Sequence, residues 1–140
     1  MVCLKFVSIS QAVMNFNFAR ILVVDDDDVM RTFVVNSLRR LGLQQIETAV
    51  DGRTALQTIV SFQPSLVLTD IHMQPMDGLE FVRQLRAHSN PVVNTMKVIF
   101  MSADASTATL KDAMPLGTYG YIVKPPRLDT LKAKIEAALK

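Results

Sequence analysis

Cysteine is nearly missing from these 140 residues, with Cys3 the only one. A single thiol excludes a disulfide scaffold and a multi-cysteine zinc site, and it fits a reducing, cytoplasmic setting. Glycine (5) and proline (6) are also scarce in a chain that is 49% hydrophobic and 20% charged, which excludes collagen-like, low-complexity and disordered classes. Neither sign of charge prevails. Fifteen basic and thirteen acidic residues leave a net +2, too balanced for an electrostatic binder of nucleic acid. No apolar run nears the ~18 residues of a membrane span, and the N-terminus has one lysine, a weak apolar stretch and no Ala-x-Ala pattern, so no signal peptide is expected. The length is close to one domain of roughly 150 residues. The expectation is one intracellular domain with neither nucleic acid nor membrane as partner.

What is present is unevenly placed. Four of the thirteen acids form one run, Asp25–Asp28, directly behind the apolar run Ile21–Val24. From Arg20 onward, short β-branched runs read as fully buried strands: Ile21–Val24, Ile46–Val50, Leu66–Thr69, Val98–Met101 and Gly120–Val123. Helical spacing fills the gaps. Val29, Met30, Phe33, Val34, Leu38 and Leu41 form one apolar stripe ahead of Gly42; Arg53–Gln63, Leu79–His88, Ser106–Ala113 and Leu128–Leu139 supply four more helices. Residues 1–17 show no clean period and are expected to be an N-terminal extension to a domain over 18–140. Pro115 removes an N–H and disfavours helix at Met114, so the fourth helix should stop near Ala113.

Strands buried on both faces, joined by helical crossovers, imply an α/β three-layer sandwich around a parallel sheet. The natural five-strand arrangement is the flavodoxin-like (βα)5 order 2-1-3-4-5. Ligands bind such sheets outside the carboxyl ends of the strands, near the switch point between strands 1 and 3. Strand 1 ends in Asp25-Asp26, strand 3 in Asp70, strand 4 in Ser102-Ala103 and strand 5 in Lys124-Pro125. Three carboxylates and one ammonium sum to −2, which is costly unless a cation joins them or some protonate. Hard oxygen donors favour Mg²⁺ or Mn²⁺, and Mg²⁺ is commonly shared with a phosphate. Lys124 and the Ser102 hydroxyl can meet phosphoryl oxygens, and one carboxylate is left to act as nucleophile. Asp70 is the candidate, standing alone on the central strand and facing both the acid pair and Lys124.

At these residues the sequence resembles the receiver domain of two-component response regulators, especially the single-domain CheY type. The resemblance covers about residues 20–140 and rests on four segments in order: ILVVDD (21–26), DIHMQPMDG (70–78), MSA (101–103) and YIVKP (121–125). It implies a phosphoacceptor at Asp70, and Mg²⁺ held by Asp26, Asp70 and the backbone carbonyl of His72, with Asp25 assisting through water. It further implies Ser102 and Lys124 on the phosphoryl group, Tyr121 as an aromatic switch, and a cis Lys124–Pro125 bond. A sensor histidine kinase or phosphotransfer protein would donate the phosphoryl group. A target protein would then read the face made by the fourth helix, fifth strand and fifth helix. The chain would catalyse only its own phosphoryl transfer and dephosphorylation, as a monomer or weak dimer, with output through protein contact. One departure concerns proline: the family's proline four positions after the phosphoacceptor is Gln74 here, and Pro75 follows it.

Other acids have plainer roles. Asp27 and Asp28 read as a solvated helix start, Asp77 as a helix cap, and Asp51 before Gly52 as a turn residue. The side chains of His72 and His88 lack partner spacing for a metal, and both are expected to be exposed non-ligands. Met73, Met76 and Met101 read as packing. Two alternatives carry some of the same residues. Val24–Val29 superficially fits the Asp-x-Asp-x-Val signature of haloacid-dehalogenase-type phosphatases, but that chemistry needs an acidic motif beyond the lysine, where only Asp129 and Glu136 stand, and it leaves Asp70 idle. A phosphorylation-independent interaction domain of the same shape would not need the full acid–Ser–Lys set.

Overall fold

The computed structural model describes residues 16–103 and 106–140. Of the extension expected over residues 1–17, positions 1–15 lie outside the described residues. A 3-10 turn, Phe16–Phe18, leads into β1 (Arg20–Val24). Then follow α1 (Asp28–Arg40), β2 (Gln45–Ala49), α2 (Gly52–Phe62), β3 (Leu66–Asp70) and α3 (Gly78–Arg86). A single helical turn, Pro91–Asn94, precedes β4 (Val98–Ser102), α4 (Thr107–Ala113), a 3-10 turn at Met114–Leu116, β5 (Gly120–Val123) and α5 (Leu128–Leu139).

The sheet is parallel throughout, in the order β2-β1-β3-β4-β5. This is the flavodoxin-like arrangement read from the sequence. Strand residues alternate between two cores, as the period of 2 requires. Leu22, Val24, Val67, Val98 and Phe100 face α2, α3 and α4, where Ile59, Phe81, Val82 and Leu85 meet them. Ile21, Val23, Leu66, Leu68 and Ile99 face α1 and α5, meeting Val34, Leu38, Leu131 and Ile135.

Side-chain caps fix the starts of α1, α2 and α3. Asp27 caps α1, accepting from the N–H groups of Val29 and Met30. Asp51 caps α2 in a reciprocal box with Thr54, so it is a helix cap and not merely a turn residue. Asp77 caps α3 by accepting from the Glu80 N–H. α4 does stop at Ala113, with Pro115 in the tighter 3-10 turn that follows.

Several readings from the sequence need correction. β2 and β5 are edge strands and are not fully buried: in β2 only Ala49 is buried, Val50 beyond it is exposed, and Val123 of β5 is exposed. An edge strand has no neighbour on one side, so helix cover there is incomplete. Val29 does not join the stripe of α1, being 80% exposed. Five residues before Val34 it sits about 140° round the helix, and Phe33 is also turned outward. The turn at Pro91–Asn94 has no apolar period to betray it. Phe16, read as extension, is only 7% exposed and packs with Ala19 and Ile21 in the core facing α1 and α5. His88 is half-buried, its Nδ1 accepting from the Asn90 N–H, where an exposed side chain was expected.

Candidate functional site

Parallel pairing brings the carboxyl ends of β1, β3, β4 and β5 to one edge of the sheet. Val24 lies beside Thr69, Asp70 beside Met101, and Ser102 beside Val123. The residues just past these positions converge. Carboxylate oxygens of Asp25, Asp26 and Asp70 all lie within 4.8 Å of one another. Lys124 Nζ donates to Asp25 Oδ2 at 2.8 Å and stands 3.2 Å from Asp70 Oδ2. The lysine therefore binds Asp25 at least as closely as Asp70.

Each acid is held differently. Asp25 is fully buried; its N–H donates to the Ala49 carbonyl at 3.1 Å, and its Oδ1 accepts the Asp27 N–H at 2.9 Å. Asp26, the next residue, is exposed, although its carboxylate reaches the same cluster. Asp70 is 6% exposed, and its Oδ1 accepts the Ile71 N–H at 2.8 Å. Burial pushes the Asp70 carboxyl above its ordinary range; Lys124 opposes that rise and the charge of Asp25 adds to it. Burial works against the Lys124 ammonium, but the hydrogen bond to Asp25 and the charges of both acids outweigh it and hold the amine above its ordinary value. The two directions agree physically. Two acids share one cation, so the cation is well satisfied and Asp70 is not.

These residues fit a hard divalent cation. Three carboxylates exceed the single ammonium, and the group offers oxygen donors without thiolate or imidazole. His72 lies in the loop after β3, its side chain exposed and lining, with Asp26, Gln74 and Asp77, a cavity of about 330 Å³ beside the cluster. Ser102 is fully buried at the end of β4, and its carbonyl accepts the Lys124 N–H at 2.9 Å, tying the two strand ends together. Tyr121, in β5, is half-buried against the core under α2, α3 and α4, and it lines a groove with Val123 and Lys124. Both the Gln74–Pro75 and Lys124–Pro125 bonds are cis.

Two further residues at the site had no chemical signature to reveal them. Thr69 Oγ1 donates to the Asp70 carbonyl at 2.9 Å from a fully buried position. Gly78 donates its N–H to the Ile71 carbonyl at 2.7 Å, and a Cβ at Gly78 would stand 2.0 Å from the Asp70 carbonyl oxygen. Only glycine lets α3 begin so close to the end of β3. Asp129, one of the two acids beyond the lysine, sits exposed on α5, paired with Arg127 at 3.2 Å and apart from the cluster.

Residues 21–136 match the response regulator receiver domain family. The chemotaxis protein CheY-3 of Vibrio cholerae is 36% identical over 126 residues, which cover 90% of this chain and 95% of that protein. CheY of Pseudomonas aeruginosa is 36% identical over 117 residues, 84% of this chain and 93% of that one. The regulatory protein AtoC of Escherichia coli is 37% identical over 123 residues, and the aligned stretch spans only 25% of its length. Among solved structures, CheY4 of Vibrio cholerae superposes with a TM-score of 0.79 at 29% identity, covering 86% of this chain and 98% of that one. The signal receiver domain of a histidine kinase from Syntrophus aciditrophicus gives 0.76 at 25% identity, covering 86% and 89%.

Proposed function

This chain belongs to the response regulator receiver family, a two-component signalling family, and on that premise we propose that Asp70 accepts a phosphoryl group and so switches a protein-binding face. One observation carries the reading: at the end of the central strand the Asp70 carboxylate is buried, under-compensated, and open to a cluster built for opposite charge. The donor is the phosphohistidine of a sensor kinase or phosphotransfer protein, or a small acyl phosphate. An Asp70 oxygen attacks phosphorus in line, the new P–O bond forms, and the bond to the donor nitrogen or oxygen breaks with its electron pair leaving on the donor. Lys124 follows the charge as it moves to the phosphoryl oxygens, since its Nζ already stands 3.2 Å from Asp70. Mg²⁺ or Mn²⁺, held by Asp26, Asp70 and the His72 carbonyl with Asp25 through water, would neutralise part of that charge. The chemistry needs positioning more than proton transfer, and no catalytic histidine is invoked.

The product adds about −1.5 to −2 of charge by analogy with other phosphorylated side chains. The buried Ser102 hydroxyl is the donor on β4 that can turn to it. Because the Ser102 carbonyl already binds the Lys124 N–H, a shift at Ser102 pulls on the end of β5, the strand that carries Tyr121. The half-buried Tyr121 ring then repacks, and the face formed by α4, β5 and α5 changes for a target protein. No reaction on a separate substrate is proposed. Among the described residues no helix is long and apolar enough to cross a membrane.

The test is direct. Incubation with Mg²⁺ and acetyl phosphate should add one phosphoryl mass to the protein, and Asp70→Asn should add none. Labelling of Asp70→Asn at Asp25 would favour the phosphatase-like reading instead.

A further inference from the structure

Arg31 lies one turn into α1, outside every segment that suggested chemistry. Its side chain is 17% exposed and forks between two oxygens of the β1–α1 connection. Nη1 donates to the Asp25 backbone carbonyl at 2.8 Å, and Nη2 pairs with the Asp28 carboxylate. The Asp25 carbonyl belongs to the same rigid peptide plane as the Asp26 N–H. Fixing that oxygen fixes the orientation of the plane from which the exposed Asp26 side chain departs. The rest of the connection is held by side chains on their own backbone: Asp25 Oδ1 on the Asp27 N–H, and Asp27 Oδ1 on the first turn of α1. Arg31 is the contact that spans the bend from the helix back to the strand end.

We infer that Arg31 is a positioning residue for the divalent-cation site, acting through the Asp25–Asp26 peptide, with Asp28 as the counter-charge that aims its guanidinium. The inference rests on the reading that Asp26 and Asp70 hold the cation. It also gives Asp28 a role that a solvated helix start does not require. Arg31 carries a positive charge beside a cation site, so its charge and its positioning act in opposite directions. By charge alone, removing Arg31 tightens cation binding. By positioning, removing it loosens the binding.

This opposition makes the test decisive. Mn²⁺ titration followed by electron paramagnetic resonance gives Kd for wild type, Arg31→Lys and Arg31→Met, with thermal unfolding in chelator run on each to confirm a folded sample. Arg31→Lys keeps the charge but loses the planar two-pronged fork. Its Kd should rise about tenfold, the low end for residues that orient metal ligands from outside, and Arg31→Met should also bind more weakly than wild type. Asp28→Asn should show a smaller rise. An unchanged Kd in Arg31→Lys, or tighter binding in Arg31→Met, overturns the positioning role while leaving the proposed function standing. Absence of Mn²⁺ binding by wild type overturns both.

Discussion

Asp70→Asn should stabilise the metal-free protein. Asp70 lies 3.2 Å from Lys124 Nζ, an attraction of about 5 kcal/mol at an effective dielectric of about 20. Against it stand the carboxylates of Asp25 and Asp26, each within 4.8 Å, and each repelling by at least about 3.5 kcal/mol on the same scale before solvent screens the exposed Asp26. Burial of the Asp70 charge adds to the cost. The neutral amide removes the repulsion and much of the desolvation, and Lys124 is not orphaned because Asp25 holds it at 2.8 Å. Replacing a strained buried charge in this way should gain about 1–3 kcal/mol in chelator at pH 7, read from urea unfolding.

The pH dependence follows from the direction of the shift. The folded pKa of Asp70 lies above its unfolded value, so its contribution is fully present below the unfolded pKa, near 4, and is lost as pH rises through the folded pKa. The gap between variant and wild type should therefore be small in weak acid and widen towards neutrality. Mg²⁺ at ten times Kd should return about 1.4 kcal/mol to wild type and less to the variant, narrowing the gap again. If Asp70→Asn is less stable than wild type in chelator at pH 7, or if the gap widens on acidification, the charge reasoning is wrong.

Three other outcomes follow from the same geometry. Lys124→Met leaves the buried Asp25 and Asp70 unpaired and should cost about 3–5 kcal/mol in chelator, partly restored by Mg²⁺ in the same unfolding assay. Gly78→Ala places a methyl against the Asp70 carbonyl, so it should cost about 1–3 kcal/mol and slow phosphoryl uptake from acetyl phosphate, whereas unchanged uptake would show that the loop relaxes freely. Removing residues 1–15 should leave stability and uptake intact, but removing 1–18 strips the buried Phe16 and should cost about 2–3 kcal/mol by thermal or urea unfolding.

The sequence alone determined the alternation of strands and helices and the identity of the residues at the strand ends. Burial pattern is a local property, and a parallel sheet with helical crossovers must put all carboxyl ends on one edge, so Asp25, Asp26, Asp70, Ser102 and Lys124 could be grouped without coordinates. The stop of α4 at Ala113 was equally legible, because a missing N–H acts within one turn. Tertiary structure decided everything that depends on distance across the chain. Lys124 binds Asp25, 99 residues away, as closely as it approaches Asp70, and no local pattern states how one amine divides itself between two acids. Edge strands lose cover at Val50 and Val123, Phe16 finds a place in the core, and Gly78 backs onto Asp70, because neighbours in space exist only once the sheet is assembled. Arg31 shows the same division at short range. Its charge was visible in the sequence, but its target is a backbone carbonyl, which every residue possesses and no sequence marks.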